Sequence, residues 1–182
     1  YIRKAWLVYE NIDKVADMSD RDKAVVKAEM QVLVAFRYVE MLKRYGGVPL
    51  VESTLTTVDV RPRSTVQQTL DFIVGLCDAA AATLEGVRWP ADWLGRVNKG
   101  VALAVKAEAL MYAARPLFNA DAPYMQMADP ANNEMIWLGG YDAKRWETAR
   151  LANQEVIDWG KNVDPDFYQH RFMAPMAAKP FE

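Results

Sequence analysis

The sequence has 182 residues, of which 52% are hydrophobic and 25% are charged, and its net charge at pH 7 is −2. This composition is typical of one globular domain with a sizeable core, and the scattered charges offer no basic face that would suit a nucleic acid. No apolar run approaches the roughly 20 residues of a membrane span, and no N-terminal segment has the pattern of a signal peptide, so we do not expect this stretch to cross a bilayer.

The first two predicted helices form an antiparallel hairpin. Apolar residues recur at helical spacing over residues 1–16, and a longer helix of the same periodicity begins at Ser19. Ser19 with Asp22 resembles a capping box, and Gly46-Gly47 followed by Pro49 predicts an abrupt end to the longer helix. The connection between the two helices is too short for any arrangement except an antiparallel one.

A third helix is predicted from the capping-box pattern of Ser64 and Gln67 to a stop at Gly86. Cys77 lies on the apolar stripe of this helix, so we expect a buried side chain that packs as a small hydrophobic residue. Because it is the only cysteine of the sequence, it cannot form an intramolecular disulfide.

Two further helices flank a long irregular segment. Asn98 is the predicted N-cap of the fourth helix, which is apolar on nearly every side as far as Ala114 and should therefore be surrounded by neighbours. Asp142 is the predicted cap of the fifth helix, which should end at Gly160. Residues 117–141 between them are broken by Pro and Gly, and loops this long are usually functional or covered by a partner.

The order of the helices predicts an all-α fold. Helices one and two pair, as do three and four, and the fifth is left without a partner, which is the pattern of stacked antiparallel helical hairpins in a tetratricopeptide-like α-solenoid with long irregular loops. We expect residues 1–182 to form a single helical-repeat domain. Since the chain begins at Tyr1 inside a helical pattern and ends in an irregular stretch, we also expect it to be a piece of a longer protein.

Catalytic and metal-binding patterns are sparse. The single histidine, His170, lies outside any motif, and there is no phosphate-binding glycine loop and no metal-ligand spacing. An all-helical glycosidase would need paired carboxylates on loops, and the candidates are Asp92, Asp121, Asp129 and Glu134. Nothing in the sequence brings two of them to a working distance, so we predict solvated acids, no enzyme activity, no cofactor and no metal.

Aromatic residues outside the helical stripes are the predicted ligand contacts. They are Trp89, Trp93, Tyr124, Trp137 and Tyr141. Flat aromatic faces in loops suit stacking on sugar rings, and they equally suit burial under another domain or a partner surface. By contrast, Tyr9, Phe36 and Trp146 fall on the stripes and are predicted core residues.

Four segments of the sequence, in order along the chain, carry a family resemblance. They are Ala28-Glu29-Met30 through Ala35-Phe36-Arg37-Tyr38 with Leu42, then Arg44-Tyr45-Gly46-Gly47-Val48-Pro49-Leu50, the run from Gly95 to Ala102 with Arg115-Pro116-Leu117-Phe118-Asn119, and Trp137 to Tyr141 with the helix that follows. Together they resemble the SusD/RagB family of outer-membrane nutrient-binding lipoproteins of Bacteroidetes. The chain departs from the family pattern at Trp6, where many members have Asn, and at Leu33-Val34, where many have Arg before Ala35.

The resemblance implies a noncatalytic cell-surface receptor for an oligosaccharide or another nutrient. Such receptors are attached to the outer membrane by an N-terminal lipid, which would lie outside this chain, and they work with a TonB-dependent barrel transporter. The helical layer serves them as a scaffold and docking surface, while most of the ligand face comes from loops before and after it. The alternative interpretation is a helical-repeat interaction scaffold without a small-molecule ligand.

Overall fold

The described part of the chain is helical throughout. The computed structural model describes residues 1–55, 57, 60–93 and 95–163, which form five α-helices and no strand. The helices are α1 (Ile2–Asn11), α2 (Asp20–Tyr45), α3 (Val66–Thr83), α4 (Lys99–Ala114) and α5 (Lys144–Val163). Short 3-10 turns lie at Ile12–Lys14, Ala91–Trp93 and Pro130–Met135. The predicted all-α class is confirmed, and none of the helices in these ranges is long and apolar enough to cross a bilayer.

Each helix packs against the next one along the chain. Helix α2 contacts α1, α3 and α4, and α5 lies along α4. The largest fully buried side chains come from α2, α4 and the α3 segment: Tyr38, Leu42, Ile73, Leu84 and Leu103. Cys77 is also fully buried, as predicted. The core therefore runs continuously through the helical layer.

The ends of α2 and α4 follow local sequence signals. The Ser19 hydroxyl accepts a hydrogen bond from Asp22 N at 3.1 Å, and Asn98 Oδ1 accepts one from Val101 N at 3.1 Å. Gly46 ends α2 in the left-handed region, with φ of 72°. These three predicted boundaries are confirmed.

The predicted start of α3 is wrong by one residue. Thr65 is the cap, because its hydroxyl accepts a hydrogen bond from Gln68 N at 3.0 Å while Gln68 Oε1 accepts one from Thr65 N at 2.9 Å. Ser64 is held elsewhere, since its backbone N donates to Val48 O at 3.3 Å. A contact with the extended residues after α2 thus decides between two adjacent hydroxyl residues.

The predicted end of α5 at Gly160 is also wrong. Asp142 does cap the turn that opens this helix, by accepting a hydrogen bond from Lys144 N at 2.9 Å, but the helix continues to Val163. Gly160 is a buried helical residue and is not among the glycines with positive φ. A glycine typically ends a helix by adopting the left-handed conformation, and Gly160 keeps helical backbone angles instead.

Two predicted core residues are on the surface. Phe36 is 39% exposed and Trp146 is 40% exposed, whereas Tyr9 is half-buried with its ring at right angles to that of Trp6. The buried aromatics of this region are instead Trp6 and Tyr38, and both bond to the extended residues after α2. The chain after α2 therefore covers one edge of the α1–α2 hairpin and leaves the Phe36 edge open.

The Gly46-Gly47 pair lets three backbone segments meet. A Cβ on Gly46 would overlap Met135 O, and one on Gly47 would overlap Ser64 O and lie 2.7 Å from Thr65 C. Gly47 N donates to Met135 O at 2.7 Å, and the Arg63 guanidinium donates to Gly47 O at 2.9 Å. The diglycine is thus a structural junction of α2, the start of α3 and the long loop before α5.

Candidate functional site

The five predicted aromatic contacts lie at opposite ends of α4. Trp89 and Trp93 precede its N-terminus, whereas the other three follow its C-terminus: Tyr124, Trp137 and Tyr141. Helix α4 has 16 residues and, at about 1.5 Å per residue, a length of about 24 Å. The five residues therefore form two surfaces rather than one site.

The two tryptophans before α4, which we call the indole pair, stack on each other. The ring centroids of Trp89 and Trp93 are 5.9 Å apart, with 30° between the ring planes. Trp89 is half-buried and its Nε1 donates to Val97 O at 2.8 Å, while Trp93 is 51% exposed. Trp93 thus presents indole surface to solvent, and Trp89 supports it from within.

Arg96 fixes the indole pair from one side. Its guanidinium carbon lies 3.8 Å from the ring centroid of Trp89 and 4.5 Å from that of Trp93, which is cation–π distance for both rings. On its other edge, Arg96 Nε donates to Glu29 Oε1 at 2.9 Å and Nη2 donates to Glu29 Oε2. The rings, the guanidinium and the carboxylate form one connected unit.

Glu29 is a buried acid on α2. It is only 6% exposed, and a buried carboxylate needs a charged or hydrogen-bonding partner. The hydrogen bond from Arg96 to this carboxylate raises the pKa of Arg96 above its ordinary value, so the guanidinium stays charged. The paired charges hold the loop before α4 against α2.

The loop of residues 117–141 is closed at its base by Asn119. The Asn119 side chain is 2% exposed and donates to Ala114 O at 3.2 Å and to Asp142 O at 3.1 Å. Its Oδ1 accepts from Asp142 N and from Arg145 Nη1, each at 2.7 Å, and Arg145 also donates to two loop carbonyls. The two ends of the loop are therefore locked to α4 and α5.

The aromatic residues of this second surface differ in exposure. Trp137 is half-buried and its Nε1 donates to Ala120 O at 2.7 Å, so its polar edge is used within the loop. Tyr124 is 61% exposed and Tyr141 is 56% exposed. Of the three, the two tyrosines are the ones whose rings are open to a ligand.

The four loop acids all lie on the surface. Asp92, Asp121, Asp129 and Glu134 are all exposed, and Asp92 lies at the opposite end of α4 from the other three. Asp129 accepts a hydrogen bond from Ala131 N at 3.0 Å and so caps a 3-10 turn. Within the described ranges, no three His, Cys, Asp or Glu residues are grouped to hold a metal ion. His170 lies outside the described residues.

A groove on the open edge of the α1–α2 hairpin was not predicted from the sequence. It has a volume of about 290 Å³ and a mainly apolar lining that includes Val8, Leu33 and Phe36. Leu33 is 44% exposed, and the Arg37 guanidinium lies 4.3 Å from the ring centroid of Tyr1 at its rim. The sequence did not predict this groove, because the apolar stripe of α2 indicated that Phe36 is a core residue.

The ion pair of Arg96 and Glu29 was also not predicted from the sequence. Both lie within segments that carry the family resemblance, but 67 positions separate them and no local pattern links them. Only the fold brings the middle of α2 to the loop before α4.

Comparison with solved structures finds several of similar fold. The protein BT4246 is 30% identical to this chain with a TM-score of 0.76, and the match covers 91% of this chain and 29% of that one. A SusD-like protein, BF3747 from Bacteroides fragilis, is 33% identical with a TM-score of 0.57, over 63% of this chain and 22% of that one. Surface glycan-binding protein A from Bacteroides uniformis is similar in fold, with 20% identity and a TM-score of 0.60, over 86% and 29% of the two chains.

The chain spans 29% of the length of BT4246, so it corresponds to one part of that relative. No match was found among the curated proteins. Residues 1–114 match the family model SusD-like_3, described as "Starch-binding associating with outer membrane". The match includes α1 to α4, the diglycine junction, and both Glu29 and Arg96. This chain belongs to the SusD-like family.

Proposed function

We propose that this chain is the helical scaffold of a noncatalytic outer-membrane receptor that captures oligosaccharides at the cell surface. The observation that carries the proposal is the match of residues 1–114 to a family described as starch-binding and associated with the outer membrane. A structural neighbour, 22% identical over 85% of this chain, was solved with a xylogluco-oligosaccharide. In this proposal residues 1–182 are one helical-repeat domain of a longer, lipid-anchored receptor.

The ligand contacts in this proposal are the exposed aromatic faces of the two loop surfaces. Trp93, Tyr124 and Tyr141 are each more than half exposed, and an aromatic face in that state can stack on the apolar face of a sugar ring. Trp89 and Trp137 have a supporting role, since both indole N–H groups are bonded to backbone carbonyls. Because the two surfaces are about an α4 length apart, they would contact separate sugar units or separate chains.

The proposed partner is a TonB-dependent barrel transporter, over which the receptor would act as a lid. What supports a macromolecular contact is the half-exposed apolar edge of the α1–α2 hairpin, with Leu33 and Phe36 in its groove. The same groove favours a second candidate function, a helical-repeat interaction scaffold without a small-molecule ligand. The two candidates differ in what the loop aromatics do.

Affinity gel electrophoresis of the intact protein separates the candidates. A receptor is retarded by soluble starch or xyloglucan in the gel, and Trp93→Ala or the Tyr124→Ala/Tyr141→Ala double variant reduces the retardation. Phe36→Ala is the control, because it removes a partly exposed aromatic ring from the helical layer rather than from a loop surface. Retardation by no glycan, together with partner capture that Phe36→Ala abolishes, would favour the scaffold. Release of reducing ends by the purified protein would show catalysis and contradict the proposal.

A further inference from the structure

The indole pair owes its orientation to a charge pair in the helical layer. The described residues between α3 and α4, 84–93 and 95–98, contain a single 3-10 turn, so no long helix among them holds Trp93 in place. Arg96 lies against both rings and is itself held by two hydrogen bonds to Glu29. The bidentate geometry fixes the plane of the guanidinium as well as its position. Glu29 is therefore a positioning residue for the exposed face of Trp93.

Arg96 keeps hydrogen-bond donors for a ligand. Its Nε and Nη2 atoms are bonded to Glu29, and its Nη1 atom makes no hydrogen bond within the described part of the chain. The side chain is 29% exposed, so solvent and ligands can reach it beside Trp93. A sugar ring stacked on Trp93 would meet N–H donors that suit its hydroxyl oxygens.

The charge of this donor is cancelled from within the protein. The Glu29 carboxylate lies in direct contact with the guanidinium, so the unit is close to neutral as seen by a ligand. Asp92, one residue before Trp93, is an exposed acid in the same 3-10 turn. A carboxylate on a bound sugar would be repelled by the negative charges of these two acids, and no uncompensated cation would attract it.

We propose that Glu29, acting through Arg96, makes the Trp93 face a contact for neutral pyranose rings and disfavours uronic acids. This inference rests on the proposed function, since it names the class of sugar that one of the proposed contacts accepts. It assigns the stacking to Trp93, the hydroxyl contacts to Arg96, and the discrimination against acidic sugars to Glu29.

The test uses fluorine NMR of the intact protein labelled with 5-fluorotryptophan. The Trp93 resonance is assigned as the one missing in Trp93→Phe. The probes are maltoheptaose, a xyloglucan oligosaccharide and an oligogalacturonate of seven sugar units. We expect a neutral probe to shift the Trp93 resonance, and the oligogalacturonate to bind at least about tenfold more weakly.

Substitution of Glu29 by Gln tests the positioning role. Because the amide keeps the size but not the charge, Glu29→Gln should shift the Trp93 resonance of the free protein and reduce discrimination against oligogalacturonate by about fivefold or more. The binding of oligogalacturonate to this variant should also weaken as salt is raised, since an uncompensated guanidinium attracts anions. Glu147→Gln is the matched control, because Glu147 makes a similar bidentate pair with Arg150 on the surface of α5.

The outcomes separate the two proposals. If a probe binds the protein and leaves the Trp93 resonance unmoved, or if oligogalacturonate binds as tightly as the neutral probes, this inference is wrong and the receptor function stands. If no glycan binds, the receptor function fails and the inference fails with it. Should Glu29→Gln not fold, the comparison of neutral and acidic probes on the unmodified protein still tests the preference of the Trp93 face for neutral rings.

Discussion

Arg96, in the loop before α4, forms a bidentate salt bridge with Glu29 in the middle of α2, 67 residues earlier in the chain. Both residues lie within the family match of residues 1–114, and their contact joins a buried acid to the indole pair, of which Trp93 is exposed. A single contact thus links the stability of the helical layer to the shape of a loop surface.

Loss of the Glu29 carboxylate should destabilise the fold. In Glu29→Ala the Arg96 guanidinium remains beside the indole pair without its partner, so we expect the free energy of unfolding to fall by about 2 kcal/mol. The full penalty of a buried unpaired charge does not apply, because Arg96 is 29% exposed and can regain water. Urea denaturation of Glu29→Ala and Glu147→Ala gives the comparison. The Glu147–Arg150 pair is exposed and screened by solvent, so its loss should change stability far less, and equal losses would contradict a buried role for Glu29.

A methyl group at Gly47 should open the diglycine junction. In Gly47→Ala the new Cβ would overlap the Ser64 carbonyl oxygen and lie 2.7 Å from Thr65 C, so the backbones must separate. We expect the free energy of unfolding to fall by about 3 kcal/mol. Gly75→Ala is the control, since its Cβ would meet nothing within 4 Å in the interior of α3 and should stabilise the helix by up to about 1 kcal/mol. Similar thermal midpoints for the two variants would show that the junction tolerates a side chain.

The contact of Gly100 with Trp159 should couple α4 to α5. A Cβ on Gly100 would overlap the Trp159 ring and lie 2.6 Å from its Cε3 atom, so Gly100→Ala should cost about 2 kcal/mol of stability. Replacing the indole by the smaller Leu in Trp159→Leu makes room for that methyl group. The double variant should therefore lose less than the sum of the single losses, as measured in a double-mutant cycle. Strictly additive losses would mean that the two residues do not share this contact.

Cys77 should resist thiol reagents while the protein is folded. Burial raises the pKa of the Cys77 thiol from 9.0 to about 12, with a smaller contribution from Asp78. At pH 8 almost no thiolate is present, so we expect negligible reaction with Ellman's reagent until denaturant is added. Rapid labelling of the native protein would contradict the buried position.

The raised pKa of Cys77 should make the free energy of unfolding depend on pH. The folded state holds the Cys77 proton more tightly than the unfolded chain does, so the stability from the neutral thiol is fully present below about pH 9. It is lost progressively as the pH rises from about 9 towards 12. Cys77→Ala should remove this component, which denaturation at pH 8 and pH 10.5 in both proteins would measure. An identical change in the two proteins over that interval would contradict the pKa shift.

Local chemistry explains which parts of the fold were predictable. The caps at Ser19 and Asn98 and the left-handed Gly46 act within one helical turn, so sequence spacing identifies them. Thr65 replaces Ser64 as a cap because a strand-like contact with Val48 fixes Ser64, and that contact is invisible in a short window. Local patterns therefore predicted the helices and several of their ends, whereas the start of α3 depends on a tertiary contact.

The candidate site was predictable only as residue types. The sequence identified aromatic residues outside the stripes, but not that α4 separates Trp93 from Tyr124 and Tyr141. It also gave no sign that Arg96 would lie against two indoles, since that contact needs Glu29 from a distant helix. The exposure of Phe36 also differed from the prediction. Its position on the apolar stripe indicated a core residue, but no described helix covers that side of α2.

The proposed glycan contact is tested most directly by a crystal structure of the intact protein with a bound neutral oligosaccharide. We expect an uncleaved glycan with a pyranose ring packed at about 4 Å on the exposed face of Trp93, and a hydroxyl within hydrogen-bond distance of Arg96. A glycan bound only elsewhere, with the Trp93 face covered by another part of the protein, would contradict it.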